Sequence, residues 1–213
     1  MMRKHTIVLI NGKRRSGKGL LTQALSKKLA KKFDNNVHIL SFAEPIKSIT
    51  KPILDEIKWD GINKEIVRPL WIAMGEVGRN IDSNIWCARV FDKIKATVKQ
   101  SIKGDKSTLF IIDDLRFPNE LDFFKKNVKD LEATLKKSDD ECRVISIRIE
   151  KFMDANKFVV GVDDNSTETS FDKLVNICFD HIVPQNTMIN EEWEADFKGV
   201  EISANTIVKN FFK

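Results

Sequence analysis

The residues whose types and spacing are best suited to chemistry are Gly12-Lys13-Arg14-Arg15-Ser16-Gly17-Lys18-Gly19, directly after the apolar run Thr6 to Ile10. Glycines let a backbone curl with its N–H groups turned inward, a following helix presents its positive end, and a lysine so placed reaches β- and γ-phosphates. The expected ligand of Gly12, Lys13, Arg14, Arg15, Ser16, Gly17, Lys18 and Gly19 is therefore a nucleoside triphosphate. The loop pattern normally ends in a hydroxyl residue that ligates Mg2+, and Gly19 has none. The bland alternative is a glycine-bearing turn that binds nothing. Three consecutive cations, Lys13, Arg14 and Arg15, make a costly choice for an empty turn, although Arg14 and Arg15 can also be simply solvated.

A second group follows another apolar run and reads Asp113-Asp114-Leu115-Arg116. A phosphate is best gripped by guanidinium forks, which pair with its oxygens bidentately. Arg116, Arg68 and Arg79 are the candidates, with Lys47 alongside. Arg116 is the strongest because it follows a predicted strand's carboxyl end, where open α/β sheets carry their sites. Surface ion pairs are the alternative for Arg68 and Arg79. Asp113 and Asp114 can hold Mg2+ directly or through water, because this ion takes few protein ligands and keeps several waters; Asp114 can instead pair with Arg116. Glu168 can hold the acceptor or a basic partner, or take part in a helix cap with Ser166 or Thr167. A flat apolar surface for a base must come from Trp71, Trp86 or Phe42, since the chain lacks tyrosine; each of these also suits a core.

Stepping out to the elements that must position these groups, five β-type runs are expected: Thr6 to Asn11, Val37 to Phe42, Leu109 to Asp113, Arg143 to Ile149 and His181 to Pro184. Helical patterns separate them, beginning with Leu20 to Phe33. Strands alternating with helices, and apolar runs without strict alternation, imply an α/β, doubly wound fold on a parallel sheet of about five strands. The 213 residues suit one domain with insertions. Its core is read as 1–42, 109–150 and 168–213, with an acceptor-binding insertion at 43–108 and a lid at 151–167, where Lys151 and Lys157 are the cations before Gly161. The charged stretch Lys125 to Glu141 reads as a solvated helix and loop.

The composition, 42% hydrophobic and 31% charged, is that of a soluble globular protein. The apolar runs are too short for a membrane span or a secretory signal. Cys87, Cys142 and Cys178 are odd in number and widely spaced, which suggests neither disulfides nor zinc and fits a reducing cytoplasm. The net charge of +5 suits anionic ligands, but the cations are scattered among 31 acids, so nucleic acid is not expected as a partner.

Taken together, these stretches resemble the phage and viral deoxynucleoside monophosphate kinases, a branch of the P-loop nucleoside monophosphate kinase superfamily, and animal-type phosphomevalonate kinases are similar. The loop resembles both, although those relatives carry Asp where this chain has Gly19. Ala43-Glu44-Pro45-Ile46-Lys47 is similar to an A-x-P-x-K segment of the family. Arg68-Pro69-Leu70, Gly75, Arg79 and Trp86 fall at spacings like those of its substrate-binding insertion. Asp114 to Asp122 looks like the DxRxxxExD pattern of the viral kinases, and Gly161-Val162-Asp163-Asp164 with Thr167-Glu168 is similar to the segment closing the lid in phosphomevalonate kinases.

The resemblance implies an ATP- and Mg2+-dependent kinase that converts a deoxynucleoside monophosphate to its diphosphate in the cytoplasm of a virus-infected host, with a homodimer as one possible assembly. Lys18, Arg116 and Asp114 are the expected catalytic groups, Asp114 being the favoured metal ligand. Phosphomevalonate as acceptor is the runner-up. A P-loop nucleotide-binding protein without kinase activity is the alternative of another class; a GTPase switch is disfavoured because Asn63-Lys64-Glu65-Ile66 lacks the base-reading aspartate.

Overall fold

The computed structural model describes residues 3–135, 140–151, 158, 160, 164, 166–172, 174 and 179–213. Lys157, Gly161, Val162, Asp163 and Cys178 lie outside the described residues, as does most of the expected lid.

Five parallel strands form one sheet in the order β2-β3-β1-β4-β5, with β1 Lys4–Gly12, β2 Val37–Leu40, β3 Thr108–Leu115, β4 Glu141–Ile149 and β5 His181–Val183. The expected α/β, doubly wound architecture is the one observed. β1 lies at the centre, pairing His5 with Thr108 on one side and with Cys142 on the other. Its run Ile7 to Ile10 is almost entirely shielded from solvent, as a strand covered on both faces requires.

One face is covered by α4 (Ile85–Lys103) and α5 (Pro118–Leu135), whose Phe91, Ile94 and Phe124 pack with Phe110 and Ile112. The other is covered by α1 (Lys18–Leu29) and the C-terminal helix Phe197–Phe211, through Leu21, Leu25, Val200, Ala204 and Ile207. Each fully buried leucine, isoleucine, valine or phenylalanine of this kind stabilises the fold by about 1.5–3 kcal/mol relative to exposure.

Between β2 and α4, the helices α2 (Ala43–Glu56) and α3 (Lys64–Ile81) stand beside the carboxyl end of the sheet. Here β2 stops sooner than its apolar run suggests. Asp114 accepts hydrogen bonds from the Phe42 and Ala43 amides at 3.0 and 3.1 Å, which turns the chain into α2 immediately after the strand. Phe42 thereby packs edge-on against Phe124 in the core. Helix α3 meets α4 where Gly78 leaves room for the Trp86 ring; a Cβ at position 78 would lie 2.3 Å from that ring.

Candidate functional site

The loop between β1 and α1 has the form its glycines predict. Arg15 and Gly17 both adopt positive φ, of 60° and 90°, so that the chain reverses before the first turn of α1. The Ser16 amide closes the turn on the Lys13 carbonyl at 3.2 Å. Lys18 Nζ reaches back into the curl and donates to the carbonyls of Gly12 and Lys13 at 2.7 and 2.9 Å. Its pKa is lowered to about 8, first by burial and then by the neighbouring Arg116 charge. Buried against the loop, Ser16 Oγ has no hydrogen-bond partner among the described residues. Gly19 is exposed, and a Cβ there would meet no atom within 4 Å.

The end of β3 delivers the second group to the same corner. Arg116 Nη1 lies 2.7 Å from Glu168 Oε1 and 3.4 Å from the Gly12 carbonyl. Glu168, whose side chain is only 7% exposed, accepts the Arg14 amide with its other oxygen at 2.5 Å. The turn carrying Arg116 is held by Glu120, which accepts the amides of residues 116 and 117 at 2.7 and 3.0 Å. Burial pushes the Glu120 carboxyl up to about 7.

Asp113 and Asp114 diverge. Asp113 accepts the Thr22 hydroxyl of α1 at 3.1 Å, beneath the loop. Asp114, the favoured metal ligand on resemblance, has both oxygens in hydrogen bonds: it accepts Ser41 Oγ at 2.6 Å as well as the two amides that start α2. Burial, followed by weaker opposing and reinforcing effects, raises its pKa. It does not pair with Arg116. Among the described residues, no three His, Cys, Asp or Glu side chains are grouped so as to hold a metal.

A cleft of about 330 Å³ opens from Arg116 towards α2 and α3, lined among others by Lys47, Arg68, Trp71, Arg79 and Trp86. These five do not share one environment. Arg79 lies over the Phe117 ring at 4.8 Å, and Lys47 over the Trp71 ring at 5.3 Å. Arg68 forms an exposed fork with Glu65, at 2.6 and 2.8 Å, which is the surface pair named as its alternative. Trp86 is a core residue whose Nε1 donates to the Gly75 carbonyl at 3.0 Å, so its face is committed to helix packing. Trp71 is half-buried and donates to Thr50 Oγ1 at 3.1 Å. A larger open compartment of about 620 Å³ continues past Trp71, with Trp59 against it at 5.9 Å between ring centroids.

Several residues at this corner escape a reading by motif. Arg148 of β4 is buried; it donates to Asn11 Oδ1 and, at 3.0 Å, to Asp172, which also takes Lys13 Nζ at 2.8 Å. This chain of contacts ties Lys13 to β4 through Asp172. On the far side of the loop, Arg15 and Lys151 each lie over the Trp193 ring, at 5.1 and 4.2 Å from its centroid. A narrow crevice there is lined by Arg15, Ser16, Asn186, Met188 and Trp193. The available signal was positional: Trp193 follows the last strand, at the carboxyl edge where such sheets bind ligands.

Comparison with known proteins identifies a family. Residues 10–130, more than half of the chain, match the family described as phosphomevalonate kinase. Phosphomevalonate kinase of Drosophila melanogaster is 24% identical over 195 residues, spanning 87% of this chain and 91% of that protein. Among solved structures, thymidylate kinase from Ehrlichia chaffeensis is similar with a TM-score of 0.44 and 16% identity, covering 97% of this chain and 99% of its own. A fungal RNA kinase is similar with a TM-score of 0.48 and 12% identity, covering 99% and 87%.

Proposed function

The chain belongs to the phosphomevalonate kinase family, and from that premise we propose that it transfers the γ-phosphoryl group of ATP to the phosphate of phosphomevalonate, giving ADP and the diphosphate. This reverses the order of the two acceptors expected from sequence, since the family match falls on the runner-up. The observation that carries the reading is the shared corner: Arg116, on the acceptor cleft, lies within hydrogen-bonding reach of Gly12 in the donor loop.

Phosphoryl transfer proceeds through a loose transition state, so the protein's work is positioning and charge. Gly12 to Gly19 cradle the donor's phosphates by backbone amides, and Lys18 turns from the loop carbonyls to the β- and γ-oxygens. Arg14 and Arg15 add positive charge at the mouth, while Trp193 offers a face to the donor's base. Arg116, with Arg79 and Lys47, grips the acceptor's phosphate; Arg68 joins them by exchanging Glu65 for phosphate. Mg2+ bound to the triphosphate would neutralise its charge, and Asp113, with the Thr22 hydroxyl, suits a hydrated ion at that place better than Asp114 does. Segment 43–108 supplies the acceptor wall and 151–167 the lid in this reading.

A second acceptor, a deoxynucleoside monophosphate, is favoured by one feature: the compartment beyond Trp71, with its paired indoles, has room and aromatic surface for a base. A coupled ADP-release assay with ATP·Mg2+, offering phosphomevalonate and a panel of nucleoside and deoxynucleoside monophosphates, separates the two. Turnover is expected with phosphomevalonate. Turnover confined to nucleotides would replace it with the second acceptor, and none with any of them would refute both.

A further inference from the structure

Glu168 stands between the donor loop and the acceptor cleft. Its carboxylate is buried, and its two oxygens serve different elements. Oε2 accepts the Arg14 amide of the donor loop at 2.5 Å, and Oε1 takes Arg116 of the acceptor cleft at 2.7 Å. The Arg116 carbonyl in turn accepts the hydroxyl of Ser170, so the turn that follows Glu168 is tied to the same arginine. A carboxylate cannot keep both bonds once phosphate oxygens arrive, because like charges at this distance in a shielded site repel strongly.

We propose that Glu168 is an internal substitute for the phosphoryl group, displaced when substrate binds, and that it thereby couples the donor and acceptor sites. The proposal rests on the reading that Gly12–Gly19 takes ATP and Arg116 the acceptor. A triphosphate entering the loop must detach Glu168 from the Arg14 amide; an acceptor phosphate must detach it from Arg116. Either event frees the other site, so the cost of moving the carboxylate falls on whichever substrate binds first. The second then binds more tightly, and the coupling is reciprocal. In the absence of acceptor, each site is competent only in the fraction of molecules whose carboxylate has left, which lowers its apparent affinity by that fraction.

Isothermal titration of the full chain with AMP-PNP·Mg2+ tests this, using wild type, Glu168→Gln and Glu168→Ala, each alone and with saturating phosphomevalonate. Wild type should bind the analogue about tenfold more tightly when acceptor is present, whereas both variants should bind it about tenfold more tightly than wild type without acceptor and gain little on adding it. A role confined to holding the fold predicts the reverse: weaker binding and a lower Tm in both variants. Equal or weaker analogue binding by the variants overturns the proposal, and loss of binding by every chain removes it together with the donor assignment. Tighter analogue binding by the variants with no response of any chain to phosphomevalonate would retain the displacement of Glu168 and reject that acceptor.

Discussion

The donor loop and the acceptor wall are built by opposite means. At the loop, the key polar groups are tied to neighbouring elements: Lys18 by two carbonyls, Arg116 by Glu168 and Gly12, Lys13 and Arg148 by a shared aspartate. At the wall, Lys47 and Arg68 stand exposed on helices whose outer faces also show Ile49, Ile53, Ile66 and Ile72 to solvent. A fixed site suits the triphosphate, whose shape is the same in every turnover. A wall of long side chains on exposed helices suits a part of the site that must adjust to the acceptor. The contrast predicts large, specific losses from changes at the loop and smaller, substrate-dependent ones from changes at the wall.

The largest effect is expected at Lys18. Its ammonium acts on charge that develops in the transition state, so Lys18→Ala should lower kcat by about two orders of magnitude or more while circular dichroism shows an intact fold. Unchanged turnover would take it out of the mechanism. Arg116→Ala comes next and should raise KM for the acceptor by about tenfold to a hundredfold while altering ATP binding much less, since a charged bidentate contact is lost on one side. Equal damage to both substrates would show that the corner does not divide as described.

Trp193→Ala should raise KM for ATP by about tenfold, as stacking on an aromatic face is typically worth a kcal/mol or more; the acceptor's KM should not move. The pH profile gives a subtler test. With its pKa lowered to about 8, Lys18 is charged below that pH and neutral above it, so kcat/KM should fall as pH rises through 8, by about tenfold at pH 9. An activity flat from pH 7 to 10 would contradict this. The smallest effect is expected from Gly19→Ser. The position has open space, so the fold should be kept and the Mg2+ concentration for half-maximal activity should drop a few-fold if the hydroxyl supplies a missing ligand. An unaltered Mg2+ requirement would mean that another oxygen, such as that of Thr22 or Asp113, already fills the role.

Much of this arrangement was legible in the chain because its signals are local. The five strands are apolar runs bounded by turn residues, and the loop is a short pattern between a strand and a helix; both survive into the fold with their ends shifted by a few residues. Those shifts come from distant groups. Strand β2 stops at Leu40 because Asp114, far along the chain, captures the amides that start α2. The same interaction gives Asp114 a structural task that its motif did not suggest. Residues such as Arg148, Asp172 and Trp193 were not legible, because their function is to meet partners 137, 159 and 24 residues away or in other loops, and no local pattern encodes that meeting. On the wall, the sequence put Arg68, Trp71 and Arg79 in one insertion, but it did not separate the arginine paired with Glu65 from the one over the Phe117 ring.

The central claim is that Gly12 to Gly19 hold a triphosphate with Lys18 at its end. A crystal structure of the full chain with AMP-PNP·Mg2+ tests it most directly. The account predicts phosphate oxygens against the loop amides, with Lys18 Nζ turned from the Gly12 and Lys13 carbonyls to the β- and γ-phosphates. Nucleotide bound elsewhere, with Lys18 still bonded to those two carbonyls, would contradict it.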